Sequence, residues 1–123
     1  MQVGPMFDDT TVLLNKLMDV STRRQTVIAN NMANADTPGF VRREYQFQDK
    51  MAELIKSGNL QGINDFHGEV VEDKTSPARV DGNSVQLTSE MSDMAENGLM
   101  HQLLGRAYST RINILRGAMK GAE

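Results

Sequence analysis

The chain has 123 residues, a formal net charge of −3, 39% hydrophobic and 5% aromatic residues, no tryptophan and no cysteine. That length holds one small domain, so few aromatics argue against a large compact core, and the negative charge excludes a nucleic-acid binder working through a general basic surface. Without cysteine there are no disulfides, no thiol catalysis and no thiolate metal sites. Nine methionines fill part of the apolar deficit, since Met packs adaptably in helix seams and in interfaces that re-form. Met1 to Asp9 lacks the basic and apolar regions of a cleavable signal, and no run of about 18 apolar residues occurs. Neither signal cleavage nor direct membrane insertion is therefore expected.

Gln2 to Phe7, with Gly4-Pro5, reads as a flexible lead-in, and Asp8 or Asp9 as the N-cap of a helix. From about Thr10 the apolar residues Leu13, Leu14, Leu17, Val20, Val27, Ile28, Met32 and Ala33 recur at three- and four-residue steps, with polar residues between them. One amphipathic helix to about Ala33 is predicted, roughly 35 Å long at ~1.5 Å per residue. The polar stretch Ser21 to Thr26 interrupts the stripe, either as a solvated turn, the common fate of charged helix positions, or as a place where another subunit docks.

The helix stops at Asn30-Asn31-Met32-Ala33-Asn34-Ala35-Asp36-Thr37-Pro38-Gly39-Phe40. Asn and Asp favour helix ends, Pro38 pushes Thr37 out of the α region, and Gly39 accepts a positive φ, so three separate preferences make a sharp exit. Phe40 to Phe47 is extended in character. Phe47, Met51, Leu54 and Ile55 then share a helical face that Ser57-Gly58-Asn59 ends. From Leu60 to Asn83 the helical period is lost. Glu69 to Glu72 has strand character but no second strong strand to pair with, so a loop with at most one hairpin is expected.

Asp81-Gly82 is a turn signal, and Asn83 with Gln86 imitates a capping box, which predicts a second long helix from about Ser84. Its seam, Leu87, Met91, Met94, Gly98, His101, Gly105, Tyr108, Ile112, Leu115 and Met119, steps alternately by four and three. Such heptad spacing over more than four heptads is that of a coiled coil. A second set, Ala95, Leu99, Leu103, Ala107 and Ile114, lies on a neighbouring face, giving more apolar surface than one partner helix covers. Gly98 and Gly105 on the seam each cost about 1 kcal/mol relative to Ala, and point either to close backbone approach in a crowded array of helices or to tolerated surface positions. Glu90, Asp93 and Glu96 read as a solvated acidic face, not a metal site.

Nothing in the chain reads as an enzyme. His67 and His101 stand without a second ligand or a paired carboxylate, and no nucleophile elbow, phosphate-cradling glycine loop, metal motif or cofactor motif occurs.

The segment from Asn31 to Phe40 resembles the signature of the flagellar rod and hook proteins, with Phe40 where an aromatic, most often Tyr, follows the Pro-Gly. A second segment, Asp81-Gly82-Asn83-Ser84-Val85 with Glu90-Met91 and Met94-Ala95-Glu96-Asn97, looks like the C-terminal region of a proximal-rod member of that family. The resemblance covers roughly residues 8–45 and 81–119. Gly98 and His101 depart from it, standing where Ala and an aromatic are expected. It implies a mainly α fold in which long terminal helices pair as a coiled coil, with a short helix and an extended segment between them. The chain then divides into residues 1–40, carrying the first helix and the Asn/Pro-Gly motif, a variable middle over 41–83, and the coiled-coil helix over 84–123. It also implies a structural subunit of the rod that transmits torque towards the hook and filament. Its partners would be copies of itself, other rod subunits, the membrane-ring protein and the export-gate-associated adaptor FliE. Export through the flagellar type III channel would account for the missing signal, and terminal segments that order only between subunits would suit such passage. Asn30, Asn31, Ala33, Asn34, Asp36, Thr37, Pro38, Gly39 and Phe40 are the motif residues implied in assembly. Pro38-Gly39 would set the exit angle, while Asn30, Asn31 and Asn34 would satisfy backbone groups or bond a neighbour. The alternative from another class is a soluble helical hairpin that dimerises as an adaptor.

Overall fold

The computed structural model describes residues 8–121 of the chain; the predicted lead-in over 2–7 lies outside the described residues. Helix α1 runs Asp9–Ala33, and Asp8 caps it by accepting a hydrogen bond from the Thr11 amide at 2.9 Å. After the exit come strand β1 (Arg43–Gln46), helix α2 (Gln48–Ser57), helix α3 (Leu60–Asp65), strand β2 (Glu69–Glu72) and helix α4 (Leu87–Gly121). The molecule is mainly α, with the two long helices packed against each other.

Two elements of the middle and the start of α4 differ from the sequence reading. Glu69–Glu72 does find a strand partner: it pairs antiparallel with Arg43–Gln46, Tyr45 opposite Val70. The pairing rests on the Tyr45 ring, which is buried while its hydroxyl accepts from the Gly68 amide at 2.9 Å. Leu60–Asp65, expected as loop, forms the short α3, capped by Asn59 accepting from the Gly62 amide at 2.8 Å. Finally, α4 begins at Leu87 and not near Ser84, because Asn83 is committed elsewhere and the carbonyl of Gln86 receives the first helical bond, from Glu90 at 3.0 Å.

One small core lies between the middle elements and α1. Val20, Tyr45, Met51, Leu54, Ile63 and Phe66 are buried together, with Leu13, Leu17, Val27 and Phe47 packed on them. The apolar stripe of α1 is therefore committed to the middle segment. The side of α1 turned towards α4 mixes Met18, which lies over Gly105, with the buried polar residues Ser21 and Asn31.

Candidate assembly site at the exit of the first helix

The exit is a knot of buried amides. A helix end leaves backbone carbonyls without partners, and inside a protein each must find a donor. Asn83, fully buried, donates from Nδ2 to the Asn34 and Thr37 carbonyls at 2.8 Å each, while its Oδ1 accepts from the Val85 amide at 2.7 Å. The guanidinium of Arg79 donates to the Ala35 carbonyl and to that of Val85. Asn31, also fully buried, accepts from the Arg43 amide at 2.9 Å and donates to the Arg43 carbonyl at 2.8 Å, so its side chain treats Arg43 as a strand neighbour would. The Gly39 amide donates to the Asp81 carbonyl at 2.9 Å, and the Ser84 amide to the Phe40 carbonyl at 3.0 Å. Gly39 and Gly82 take φ of 76° and 83°, and a Cβ on Gly82 would stand 3.2 Å from the Gly39 Cα. Both turns thus need the residue that tolerates positive φ, and one needs it for space as well.

Beside the knot lies a charged cluster. Arg42 donates from Nε to Glu90 at 2.7 Å and from Nη1 to Glu44 at 2.7 Å and Asp73 at 2.6 Å; the Glu90 side chain is 1% exposed. Burial disfavours the Arg42 charge, but the hydrogen bonds to Glu90, Glu44 and Asp73 outweigh it and raise its pKa further. Hydrogen bonds from the Ser76 and Thr75 hydroxyls and the Thr75 amide, with Arg42 adding to them against the opposing effect of burial, hold the Asp73 carboxyl well below the usual carboxylate range. Glu90 also accepts from Asn31 Nδ2 at 3.3 Å. The acidic trio is therefore not a solvated face: Glu90 is buried, Asp93 half-buried and only Glu96 exposed, because the exit brings Arg42 under the first turn of α4. Among the described residues, every buried side-chain nitrogen and oxygen has a partner.

The family-motif residues separate by side. Asn31 and the Asn34 carbonyl face inward; Asn34 Nδ2 also closes on the Asn30 carbonyl at 2.9 Å and Asn34 Oδ1 accepts from the Thr37 hydroxyl at 3.2 Å. Asn30, Ala33, Asp36, Thr37, Pro38 and Gly39 are exposed, and Phe40 is half-buried. On α4, Met94, Gly98, His101, Gly105, Tyr108, Ile112 and Leu115 are half-buried, whereas Leu87, Met91 and Met119 are exposed. The fully inward positions are Glu90 and Asn97. Asn97 donates to the Ser21 carbonyl and to Gln25 Oε1 at 2.8 Å each, and His101 Nδ1 lies 2.6 Å from Ser21 Oγ. The Ser21 to Thr26 interruption is thus docked on one side by α4 of the same chain, while Thr22, Arg23 and Thr26 remain exposed. Within the chain neither seam glycine is crowded: a Cβ on Gly105 would meet Met18 Cε at 3.9 Å, and one on Gly98 nothing within 4 Å.

Arg42, Asp73 and Arg79 were not legible as members of this site. None of them carries a spacing signal in the sequence, and only the fold places them together.

A model of the family described as "Flagella basal body rod protein" matches residues 21–40, the second half of α1 and its exit. The chain is 30% identical over 117 residues to the flagellar basal body rod protein FlgB of Borrelia hermsii, an alignment covering 80% of this chain and 86% of that one. The chain belongs to the FlgB family of flagellar basal body rod proteins. The FlgB proteins of Bacillus subtilis and Salmonella typhimurium are 25% and 26% identical to it, over 96% and 81% of this chain and 98% and 88% of theirs. Family membership and geometry meet at the knot. The two segments that carry the sequence resemblance, 31–40 and 81–85, are not separate marks but two halves of one hydrogen-bonded unit.

Proposed function

We propose that this chain is a structural subunit of the proximal flagellar rod and that it transmits torque from the membrane ring towards the hook and filament without catalysing a reaction. The observation that carries the reading beyond family membership is the outer face of α4. Leu99, Leu103 and Ile114 are 59%, 53% and 58% exposed there, with Met91 and Leu87 further along the helix. Exposed apolar rows of this kind mark a surface that another protein covers. A torque-bearing subunit also needs its two long helices joined rigidly, and the amide knot and the Arg42–Glu90 pair supply that joint.

Its neighbours are other rod subunits, including copies of itself, together with the membrane-ring protein and FliE. The exposed motif residues Asn30, Ala33, Asp36 and Pro38 are the contacts offered at the exit, and the exposed apolar residues Leu99, Leu103 and Ile114 of α4 are those offered along the axis. Residues 116–121, the last turns of α4, are exposed on all sides, and neighbouring subunits are what stabilise the helix there. Export through the flagellar type III channel, without signal cleavage, brings the chain to a periplasmic rod. Among the described residues no helix is long and apolar enough to cross a membrane.

Sedimentation and circular dichroism across a wide concentration range, followed by recovery of basal bodies from cells carrying a tagged copy, test this reading. Open-ended association with rising helix content, and the tag in the isolated rod, are expected. A helical dimer at every concentration, absent from basal bodies, would make the chain an adaptor instead.

A further inference from the structure

The amphipathic pattern of α4 is inverted over its first half. Between Leu87 and Leu103 the buried side chains are Glu90 and Asn97, both polar, while Leu87, Met91, Leu99, Met100 and Leu103 are exposed. Apolar burial alone would turn the helix the other way, because exchanging one face for the other would remove several large side chains from water. The inward face is held by specific bonds: Asn31 to Glu90, Ser21 and Gln25 to Asn97, and Ser21 to His101. At the far end Arg111 binds Asp8, the capping residue of α1, from Nε at 2.9 Å and also from Nη2.

We propose that these polar contacts are a rotational lock, whose role is to select the setting of α4 that keeps Leu99 and Leu103 outside. Rolling α4 about its axis to bury them would carry Glu90 and Asn97 away from the groups they bond, leaving the part-buried Arg42 without its Glu90 partner and stripping the Asn97 bonds from the Ser21 carbonyl and Gln25 and the Glu90 bond from Asn31. Buried polar groups that lose partners cost more than the bonds they had formed contribute. The interhelical contacts therefore act against an alternative that the sequence would otherwise reach, as a buried Asn does when it fixes register in a coiled coil. The lock operates in the lone chain and does not depend on what later covers the outer face.

The natural chain has no cysteine, which makes single-cysteine labelling clean. Leu103→Cys reports on the exposed face. Leu104→Cys reports on the inward groove that Leu104 shares with Leu17, Val20 and Phe47. With the lock intact the maleimide rate at position 103 exceeds that at 104. In the background Asn97→Leu with His101→Leu the ratio falls to parity or reverses. Adding Leu99→Gln and Ile114→Gln to that background removes the competing apolar face and restores the ratio. Equal rates in the intact background, an unchanged ratio after removing Asn97 and His101, or a loss of helix that the added glutamines do not reverse would each overturn the proposal.

Discussion

Asn83 and Asn34 stand 49 residues apart in sequence, yet the Asn83 amide donates to the Asn34 carbonyl at 2.8 Å and to the Thr37 carbonyl at the same distance. One side chain thereby closes the end of α1 from across the molecule and ties the two family segments together. Asn83→Ala is expected to leave two buried carbonyls unpaired and to lower stability by about 2–3 kcal/mol. Asn83→Asp is expected to be worse, since it sets a carboxylate against those carbonyls. Urea unfolding followed by circular dichroism reads both. A change within about 0.5 kcal/mol, as for an ordinary surface substitution, would mean that the knot does not hold the exit.

The two turns with positive φ give a second prediction. Gly39→Ala and Gly82→Ala are each expected to cost about 1–2 kcal/mol from the left-handed conformation alone. Gly82→Ala should cost more, because its Cβ meets the Gly39 backbone at 3.2 Å while a Cβ on Gly39 meets nothing. Equal effects in the same unfolding assay would contradict the close approach.

The seam glycines lead to the opposite sign. Each is helical and has room for a methyl group in the lone chain, so Gly98→Ala and Gly105→Ala should each stabilise it by up to about 1 kcal/mol. Thermal midpoints of the single variants check this. A lower midpoint would reveal a crowding within the chain that the packing of Met18 over Gly105 does not indicate.

Arg42 and Glu90 form the most buried ion pair of the cluster. Arg42→Met removes the cation and leaves Glu90 with Asn31 alone, and the expected loss is about 3 kcal/mol. Restoring neutrality with Glu90→Gln in the same chain should recover part of it. A double variant no more stable than Arg42→Met would show that Glu90 suffers no penalty from losing its partner.

Acid should weaken both this cluster, through Asp73, and the Asp8–Arg111 contact at the start of α1. Asp73 and Asp8 have folded-state pKa values depressed below the ordinary 3.8, Asp73 chiefly by Ser76 and Thr75 and Asp8 chiefly by Arg111 and then Thr11. A depressed carboxylate contributes stability that is fully present above its unfolded value and is lost as pH falls through that value towards the folded one. Stability should therefore be flat near neutrality from these groups and decline below about pH 4. Asp73→Asn should shallow that decline, and an unchanged acid limb in the variant would remove Asp73 from the account.

Local patterns carried most of the architecture. The α1 stripe, the Asp8 cap, the Pro38-Gly39 exit and the stop at Gly58 depend on residues a few positions apart, so spacing reveals them. The β1–β2 pair did not, because its specificity comes from Tyr45 reaching Gly68 and not from two strong strand sequences. Asn83 misled for a related reason. A capping preference is local, and here the Asn34 and Thr37 carbonyls, 49 and 46 residues away, bind Nδ2, while the Oδ1 that would cap a helix accepts from the Val85 amide instead. Glu90 reads as a surface residue because charged side chains usually are; only the neighbourhood of Arg42 makes its burial tolerable, as that of Ser21 does for Asn97.

The outer face of α4 is where another chain is expected to meet this one. A photo-crosslinking amino acid at Leu103, activated in isolated basal bodies, tests that directly. Adducts joining position 103 to a separate rod subunit or to a second copy of this chain are predicted. Crosslinks confined to α1 of the same chain, or an unreacted probe facing solvent in the finished rod, would contradict it.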